Sequence, residues 1–365
     1  MQKIIVLIRW IVGLLFIFSG LIKANDPLGL SYKMNEFFEV FNLHQLNQFS
    51  LAFAITMNVF EIVAGIAIIV GRFVKPIIAM LTALIVFFTF LTGYALFSGK
   101  IKTCGCFGDC IPLTPAVSFG KDIALFILIV FLWLQQKKIN STISNKNATI
   151  ALAFISIAVI ALQFNALENL PIIDCLPYKK GNSIVEQMKK PADYLPDSTE
   201  INYQYKKNGE MISFDQNHFP ENFDSTYEYV GREDKIIRKG SGFPKIIDFT
   251  LQTIYGTDTT ASIFALPKYV LVMGTDFPKD YAKWEAQLVS MKAACDKKNI
   301  PLFYVTSQSN QTLQTIISKG VSVLKCDAIT IKTAARVNST YFFMQQSTII
   351  EKQSWKSYQL IQSLL

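Results

Sequence analysis

Up to about residue 165 the chain alternates between long apolar runs and short polar connections, and beyond that point it is polar with only short apolar segments. A helix that spans a membrane needs about 20 predominantly apolar residues. Five runs have this character, of which the fourth is the shortest: Ile4–Ile22, Phe49–Val70, Pro76–Phe97, Phe119–Leu134 and Ala148–Phe164. The pattern therefore predicts five transmembrane helices with a soluble part after them.

The soluble part divides into two stretches of different character. Residues 168–242 are polar and punctuated by proline, which predicts an extended connector with a hairpin at Asn208-Gly209. From residue 243 short strands alternate with amphipathic helices, beginning with the strand Tyr269–Met273 and the helix Lys279–Lys298. Their order resembles the thioredoxin fold. The predicted fold class is a membrane all-α bundle followed by an α/β thioredoxin-like domain.

This soluble domain departs from the thioredoxin-like enzymes at the positions that carry their chemistry. Those enzymes place Cys-x-x-Cys at the start of a helix, where the helix dipole lowers a thiol pKa. Here the matching residues are Thr275-Asp276-Phe277-Pro278, and Ser339 stands where the enzymes have a cis-proline. We therefore expect a redox-silent binding or docking module.

Lysine and arginine near the helix ends predict the orientation, because these residues are enriched in cytoplasmic connections. They occur before the first run, between the second and third, and between the fourth and fifth: Lys3, Arg72, Lys75, Lys137, Lys138 and Lys146. Lys33, Lys100 and Lys102 count against this assignment. We expect a multi-pass protein of the bacterial inner membrane with a cytoplasmic N-terminus and a periplasmic C-terminal domain.

All six cysteines then lie on the outer side, in the oxidising compartment where disulfides persist. Cys104, Cys106 and Cys110 share one short polar connection, and Cys175 follows the fifth run closely. Cys295 and Cys326 belong to the α/β domain, where we expect buried thiols or one internal bridge. The formal net charge of +8 is spread without a dense basic run, so we expect no nucleic-acid partner.

The clustered cysteines have three interpretations. A disulfide between Cys104 and Cys106 would close a very tight ring and be reduced more easily than a structural bridge. That pair suits catalysis, with Cys110 and Cys175 as relay or resolving cysteines. Alternatively the cysteines form structural bridges, such as Cys104 with Cys110, or hold a metal ion. We expect no metal, because neither the spacing of zinc knuckles nor a nearby histidine is present.

The segment from Thr92 to Pro115, with the motif Cys104–Gly108, resembles the DoxX and MauE superfamily. The resemblance extends to Arg9, Ser19-Gly20 and Lys23 in the first run and to Glu61 with Gly65 in the second. Members of this superfamily are small four-helix membrane proteins, and the MauE-like ones carry Cys-Gly-Cys-Phe-Gly after the third helix. The chain is similar to DoxX-type proteins of Bacteroidetes-like bacteria that append a periplasmic domain. The resemblance implies membrane-associated thiol-disulfide or quinone-linked redox chemistry.

With this resemblance the chain divides into four parts. Residues 1–140 are the predicted four-helix bundle, 141–167 the fifth transmembrane helix, 168–242 the extended periplasmic connector, and 243–365 the thioredoxin-like domain. An apolar segment from Phe37 to Leu43 lies between the first two spans. It is predicted to lie on the outer leaflet or to cover the cysteine loop, which is the connection that carries Cys104, Cys106 and Cys110.

Charged residues inside the apolar runs indicate a site or a structural pairing. Arg9 and Glu61 lie at depths that allow them to pair, while Lys23, Lys121 and Asp122 fall at the level of the cysteine loop. The two lysines would stabilise a thiolate or a quinone oxyanion, and Asp122 or Glu61 would relay protons. The structural alternative is that Arg9 and Glu61 only orient the bundle and the lysines only extend to the membrane surface.

The sequence thus favours a quinone-linked thiol-disulfide oxidoreductase that exchanges electrons with cysteines of periplasmic or envelope proteins through Cys104 and Cys106. The competing hypothesis is a non-catalytic anchor or scaffold. In that case the cysteines are structural, and the membrane part, surrounded by lipid, presents the redox-silent domain to envelope partners.

Overall fold

The structure is a computed structural model. It describes residues 1–101, 103, 105–141, 144–196, 198–215, 217–238, 240–278, 280–308 and 312–365. Cys104, a predicted catalytic residue, lies outside the described residues. The described residues form two compact units, one of Met1–Gly181 with Thr250–Leu365 and one of Asn182–Phe249.

Five helices among the described residues are long and apolar enough to cross a membrane, which confirms the five predicted spans. They are α1 (Gln2–Asn25), α3 (Ser50–Val70), α4 (Val74–Ser98), α5 (Pro115–Leu134) and α6 (Asn145–Asn169). α5 and α6 both begin at a polar N-cap residue. The side chain of Thr114 accepts a hydrogen bond from the Val117 amide, and that of Ser144 accepts one from the Asn147 amide. The protein is therefore a multi-pass membrane protein.

A shorter helix, α2 (Pro27–Val40), and a 3-10 turn at His44–Phe49 connect α1 to α3. Asp26 caps α2 by accepting from the Gly29 amide at 3.0 Å, and Pro27 occupies the first helical position. Phe37 is buried against the end of α4 and the residues that follow it. Phe37, Val40 and Phe41 of the predicted apolar segment thus pack against the end of α4.

Close contact between α1 and α3 sets the register of the bundle. A Cβ atom added to Gly65 would lie 2.6 Å from the carbonyl oxygen of Gly13, and one added to Gly20 would lie 3.1 Å from that of Asn58. Helices approach this closely only where side chains are small. Because the two helices are antiparallel, this register places Arg9 level with Ile69.

The unit Asn182–Phe249 contains a short helix, α7 (Ile184–Met188), and an antiparallel sheet with strand order β2-β1-β3. Its strands are β1 (Ser198–Lys207), β2 (Glu210–Asp215) and β3 (Tyr227–Arg238). The hairpin predicted at Asn208-Gly209 joins β1 to β2 and is confirmed. Rings of Tyr205, Phe214 and Phe223 pack together on this sheet, so the short strands expected within the predicted connector form part of a compact unit.

The α/β domain is a mixed sheet with strand order β4-β7-β6-β5-β8-β9. Its strands are β4 (Gln252–Thr253), β5 (Tyr269–Met273), β6 (Leu302–Thr306), β7 (Ser322–Lys325), β8 (Thr340–Gln345) and β9 (Thr348–Ser354). Its helices are α8 (Thr260–Phe264), α9 (Tyr281–Lys297), α10 (Thr312–Ser318), α11 (Ala328–Ala335) and α12 (Gln359–Gln362). Strands β5, β6 and β7 are parallel, and β8 with β9 forms an antiparallel hairpin. A membrane all-α part followed by an α/β domain is confirmed, while the thioredoxin-like fold stays a prediction.

The two stretches predicted to match the redox positions of thioredoxin-like enzymes lie next to each other. Thr275 follows β5, and its backbone amide donates to Asn338 Oδ1 at 3.0 Å. Asn338 directly precedes Ser339, which is followed by β8. The peptide bond between Asn338 and Ser339 is cis. Cys295 lies on the buried face of α9, where burial raises its pKa to about 12, and Cys326 is also buried.

We expect Gly65→Ala to destabilise the bundle, because the new methyl group would meet the backbone of α1 and α3 would have to move away. Overpacking of this kind costs about 1–3 kcal/mol. The matched control is Gly120→Ala on α5, where an added Cβ meets no atom of the described residues within 4 Å. Thermal unfolding in detergent should show a lower Tm for the first variant only. Equal Tm values would contradict the proposed contact.

Candidate functional site

The described residues 105–110 of the cysteine loop, between α4 and α5, fold back onto the ends of the neighbouring helices. Gly105 has a φ of 69°, in the left-handed region that favours glycine, and its carbonyl accepts from the Gly108 amide at 3.0 Å. An added Cβ at Gly105 would lie 3.0 Å from Lys33 Cγ of α2. Ser19 Oγ of α1 donates to the Cys106 carbonyl at 3.1 Å. The turn is thus held from two sides and presents Cys106 to the bundle.

Lys23 and Glu61 form a buried ion pair beneath this loop, with side chains that are 1% and 0% exposed. The register of α1 and α3 explains why they meet. Helical side chains lean toward the N-terminus of their own helix, and these helices are antiparallel. The two residues are about 9 Å apart along the axis, and their side chains lean toward each other.

The predicted pairing of Arg9 with Glu61 is wrong. In the common register these two residues are about 12 Å apart along the axis, and their side chains lean away from each other. Arg9 instead donates to backbone carbonyls at the end of α3, through Nε to Ile68 at 2.9 Å and through a terminal nitrogen to Ile69 at 2.5 Å. Arg9 therefore caps α3 at the opposite end of the bundle from the cysteines.

Lys121 and Asp122 lie on the other side of Cys106, at the start of α5. The two side chains form an ion pair, and Thr92 Oγ1 of α4 donates to the fully buried Asp122 carboxylate at 3.0 Å. The Lys121 ammonium lies 5.5 Å from the centre of the Phe107 ring. Four of the five residues predicted to hold a cofactor therefore surround the cysteine loop, and Arg9 does not.

Cys106 separates two cavities of different character. The smaller one, of about 20 Å³, is lined by Ser19, Lys23, Lys121 and Phe107 among others, and it has room for about one water molecule. Burial raises the pKa of the Cys106 thiol, and the nearby Lys121 ammonium offsets only part of this effect. The thiol is therefore protonated at neutral pH and needs a proton acceptor before it can react as a thiolate.

The larger cavity measures about 570 Å³ and lies between α2, the 3-10 turn, α3 and α4. Its lining is almost entirely apolar and rich in phenylalanine, including Phe37, Phe38, Phe41, Phe60, Phe87 and Phe88. Cys106, Lys33 and Thr92 are the polar members of the lining nearest the cysteine loop. A cavity of this size accommodates a small organic molecule, and few polar groups fix its orientation.

Cys110 and Cys175 form a disulfide with a Cα–Cα distance of 4.8 Å. The bond joins the cysteine loop to the segment after α6 across 65 residues, and a loop of this length stabilises the fold by about 4 kcal/mol in the chain-entropy model. The structural alternative that pairs Cys104 with Cys110 is therefore wrong. Cys110 and Cys175 are brought together as predicted, and their redox role stays a prediction.

Three residues of the site had no role assigned from the sequence, although Ser19 and Thr92 belong to the family resemblance. Ser19 and Thr92 contact the site through hydroxyl groups, and such residues are common in transmembrane helices. Phe88 lines both cavities, and its ring lies 5.1 Å from the Lys23 ammonium. The available signal for Phe88 was helical spacing, since Thr92 follows Phe88 by four residues on the same face of α4.

Comparison with known proteins supports the resemblance of the membrane part. Residues 1–135 match the family described as Methylamine utilisation protein MauE, and residues 199–239 match a domain of unknown function, DUF8463. The chain is 30% identical over 144 residues to Protein TlpB of Flavobacterium psychrophilum. That match covers 36% of this chain and 37% of the relative. No solved structure matches the chain.

We expect Lys23→Met to destabilise the protein strongly, because it leaves the Glu61 carboxylate buried without its cation. Breaking a buried pair costs about 3–5 kcal/mol. The double variant Lys23→Met/Glu61→Leu should recover much of this loss, since no charge then stays buried. Unfolding in detergent measures all three proteins. A double variant no more stable than the single one would argue against direct pairing.

Alkylation of Cys106 in the fully reduced protein should be slow at pH 7, and its rate should level off at a higher pH than that of glutathione because burial raises the thiol pKa. The rate for any thiol levels off once the pH exceeds its pKa. Lys121→Met should slow the reaction further, because the ammonium favours the thiolate. Mass spectrometry of the Cys106 peptide gives the rate, with glutathione as the reference thiol. A plateau at the same pH as for glutathione, or at a lower pH, would contradict the raised pKa.

Proposed function

We propose that this protein exchanges electrons between cysteines of periplasmic or envelope proteins and a membrane quinone, with Cys104 and Cys106 as the reactive pair. One observation carries the proposal: Cys106 lies in the wall of an apolar cavity of about 570 Å³, within the part of the chain that spans the membrane. A quinone ring with an isoprenoid tail matches an apolar cavity that has a few polar groups at one end.

In the oxidising direction the chemistry proceeds in two balanced steps. A client dithiol reduces the Cys104–Cys106 disulfide by thiol-disulfide exchange, which leaves a client disulfide and two thiols on this protein. The two thiols then pass two electrons and two protons to a quinone, which becomes a quinol as the Cys104–Cys106 bond forms again. The Cys110–Cys175 pair is the relay through which client electrons reach the inner pair.

The charged residues around Cys106 serve the proton steps of this scheme. The Cys106 thiol must lose its proton, and Glu61 and Asp122 are the buried carboxylates whose charges act on it. The small cavity has room for one water between the loop and Lys23. Lys23 and Lys121 stabilise the negative charge that develops on sulfur or on a quinone oxygen.

A second candidate function is a scaffold, and the Cys110–Cys175 disulfide favours it. This bond fastens the loop to the segment after α6 in the way a structural bridge does. The α/β domain has no Cys-x-x-Cys at the start of α9. In this case the protein holds the domain at the membrane surface for envelope partners.

Quinone reduction by the purified, dithiol-treated protein in lipid nanodiscs separates the two functions. The wild-type protein should reduce a short-chain benzoquinone in stoichiometric amounts, as followed by ultraviolet absorbance. Cys106→Ser should fall to the rate of empty nanodiscs, because the Cys106 thiol that lines the cavity is lost. Cys295→Ser is the matched control, since that thiol is buried in α9, and it should behave as wild type. Equal rates for Cys106→Ser and wild type would favour the scaffold.

A further inference from the structure

Each half of the Cys110–Cys175 disulfide is preceded by an aspartate, and each aspartate is paired with a cation of the α/β domain. Asp109 pairs with Arg336, and Asp174 pairs with Lys352 Nζ at 2.7 Å. Both cationic side chains are only 3% exposed. The domain thus contacts the two chain segments that the disulfide joins, directly beside both sulfur-bearing residues.

Arg336 sits in a formed cation site at the end of α11. Its Nε donates to Asp26 Oδ2 at 2.9 Å, a second nitrogen donates to Asp109, and the guanidinium lies 5.5 Å from the centre of the Tyr32 ring. Gly29 leaves room for it, because an added Cβ there would lie 3.2 Å from the guanidinium. Two carboxylates and a ring face provide strong recognition of a planar cation.

Lys352 anchors the other segment along the edge of the domain. Residues 174–181 run beside β9, where the Gly181 amide donates to the Ile349 carbonyl at 2.8 Å and Lys180 pairs with Glu351. The Lys352 ammonium also lies 5.6 Å from the centre of the Phe342 ring. The segment that carries Cys175 is therefore held by the sheet of the α/β domain.

We infer that the α/β domain is a clamp on the Cys110–Cys175 disulfide. Arg336 holds the Cys110 side and Lys352 holds the Cys175 side, so docking keeps the two sulfur atoms at bonding distance. By thermodynamic linkage, docking stabilises the oxidised pair, and the disulfide stabilises docking by the same free energy. A domain without redox residues of its own thereby regulates how readily this disulfide is reduced.

The test is a redox titration of the full chain in detergent, with mixtures of reduced and oxidised dithiothreitol. The reduced reagent gives two electrons and two protons to the Cys110–Cys175 bond and closes its own ring. Alkylation and mass spectrometry then measure the reduced fraction of the Cys110 and Cys175 peptides. For Arg336→Gln/Lys352→Gln we expect half-reduction at a ratio of reduced to oxidised reagent lower by about tenfold, which lies within the usual range of coupling between sites.

The matched control is Lys356→Gln, which removes a pair between the same domain and Glu168 of α6 that is more exposed and adjoins neither half-cystine. It should titrate like the wild type. An unchanged midpoint in a folded Arg336→Gln/Lys352→Gln protein would overturn the inference. So would equal shifts in that variant and in the control.

If the double variant does not fold, exchanging the charges of Lys352 and Asp174 tests the inference. Lys352→Asp should ease reduction, and Asp174→Lys/Lys352→Asp should restore resistance, because the pair is rebuilt with opposite signs. Lack of rescue by the swap, like an unchanged midpoint in Lys352→Asp, would overturn the inference. No quinone is present in the titration, so its outcome is independent of the proposed electron transfer.

Discussion

The closeness of α1 and α3 is the constraint on which the rest of the site depends. Gly13 and Gly65 have no side chains, so α1 and α3 pack backbone against backbone at this point. This close contact fixes the register of the two helices along the rest of their interface. That register lets Lys23 and Glu61 converge, takes Arg9 to the far end of α3, and places Ser19 where it can hold the cysteine loop. Neither charge of the buried pair has another ionic partner of opposite sign among the described residues, so their positions follow from the helix contact.

Cys106 lines two cavities of different size and character, and the proposed quinone-linked exchange would use both. The large apolar cavity suits a lipid-soluble carrier, and the small cavity, which Lys23 and Lys121 line among mostly apolar side chains, has room for one water that could carry a proton. A thiol with a raised pKa reacts slowly until a base removes its proton, which limits its reaction with other thiols. The loop achieves this with one tight turn, for which Gly105 supplies the backbone conformation.

Much of this architecture follows from the sequence, because apolar length and helical spacing are strong local signals. The five spans, the hairpin at Asn208-Gly209 and the buried face of α9 were all predictable. The pairing of Glu61 with Lys23 was not predictable in this way, because the depth of a residue in the membrane does not tell in which direction its side chain leans. The bond between Cys110 and Cys175 and the contact of Arg336 with Asp109 join residues far apart in the chain, and local patterns contain no information about such contacts.

Asp26 belongs to two structures at once. Its carboxylate caps the first turn of α2, whose residues wall the large cavity, and it also receives the Arg336 guanidinium from the α/β domain. The Arg336 guanidinium is therefore a counter-ion of the cap from which this part of the cavity wall begins. The Asp26 side chain thus connects the α/β domain to α2, the helix whose residues line the large cavity.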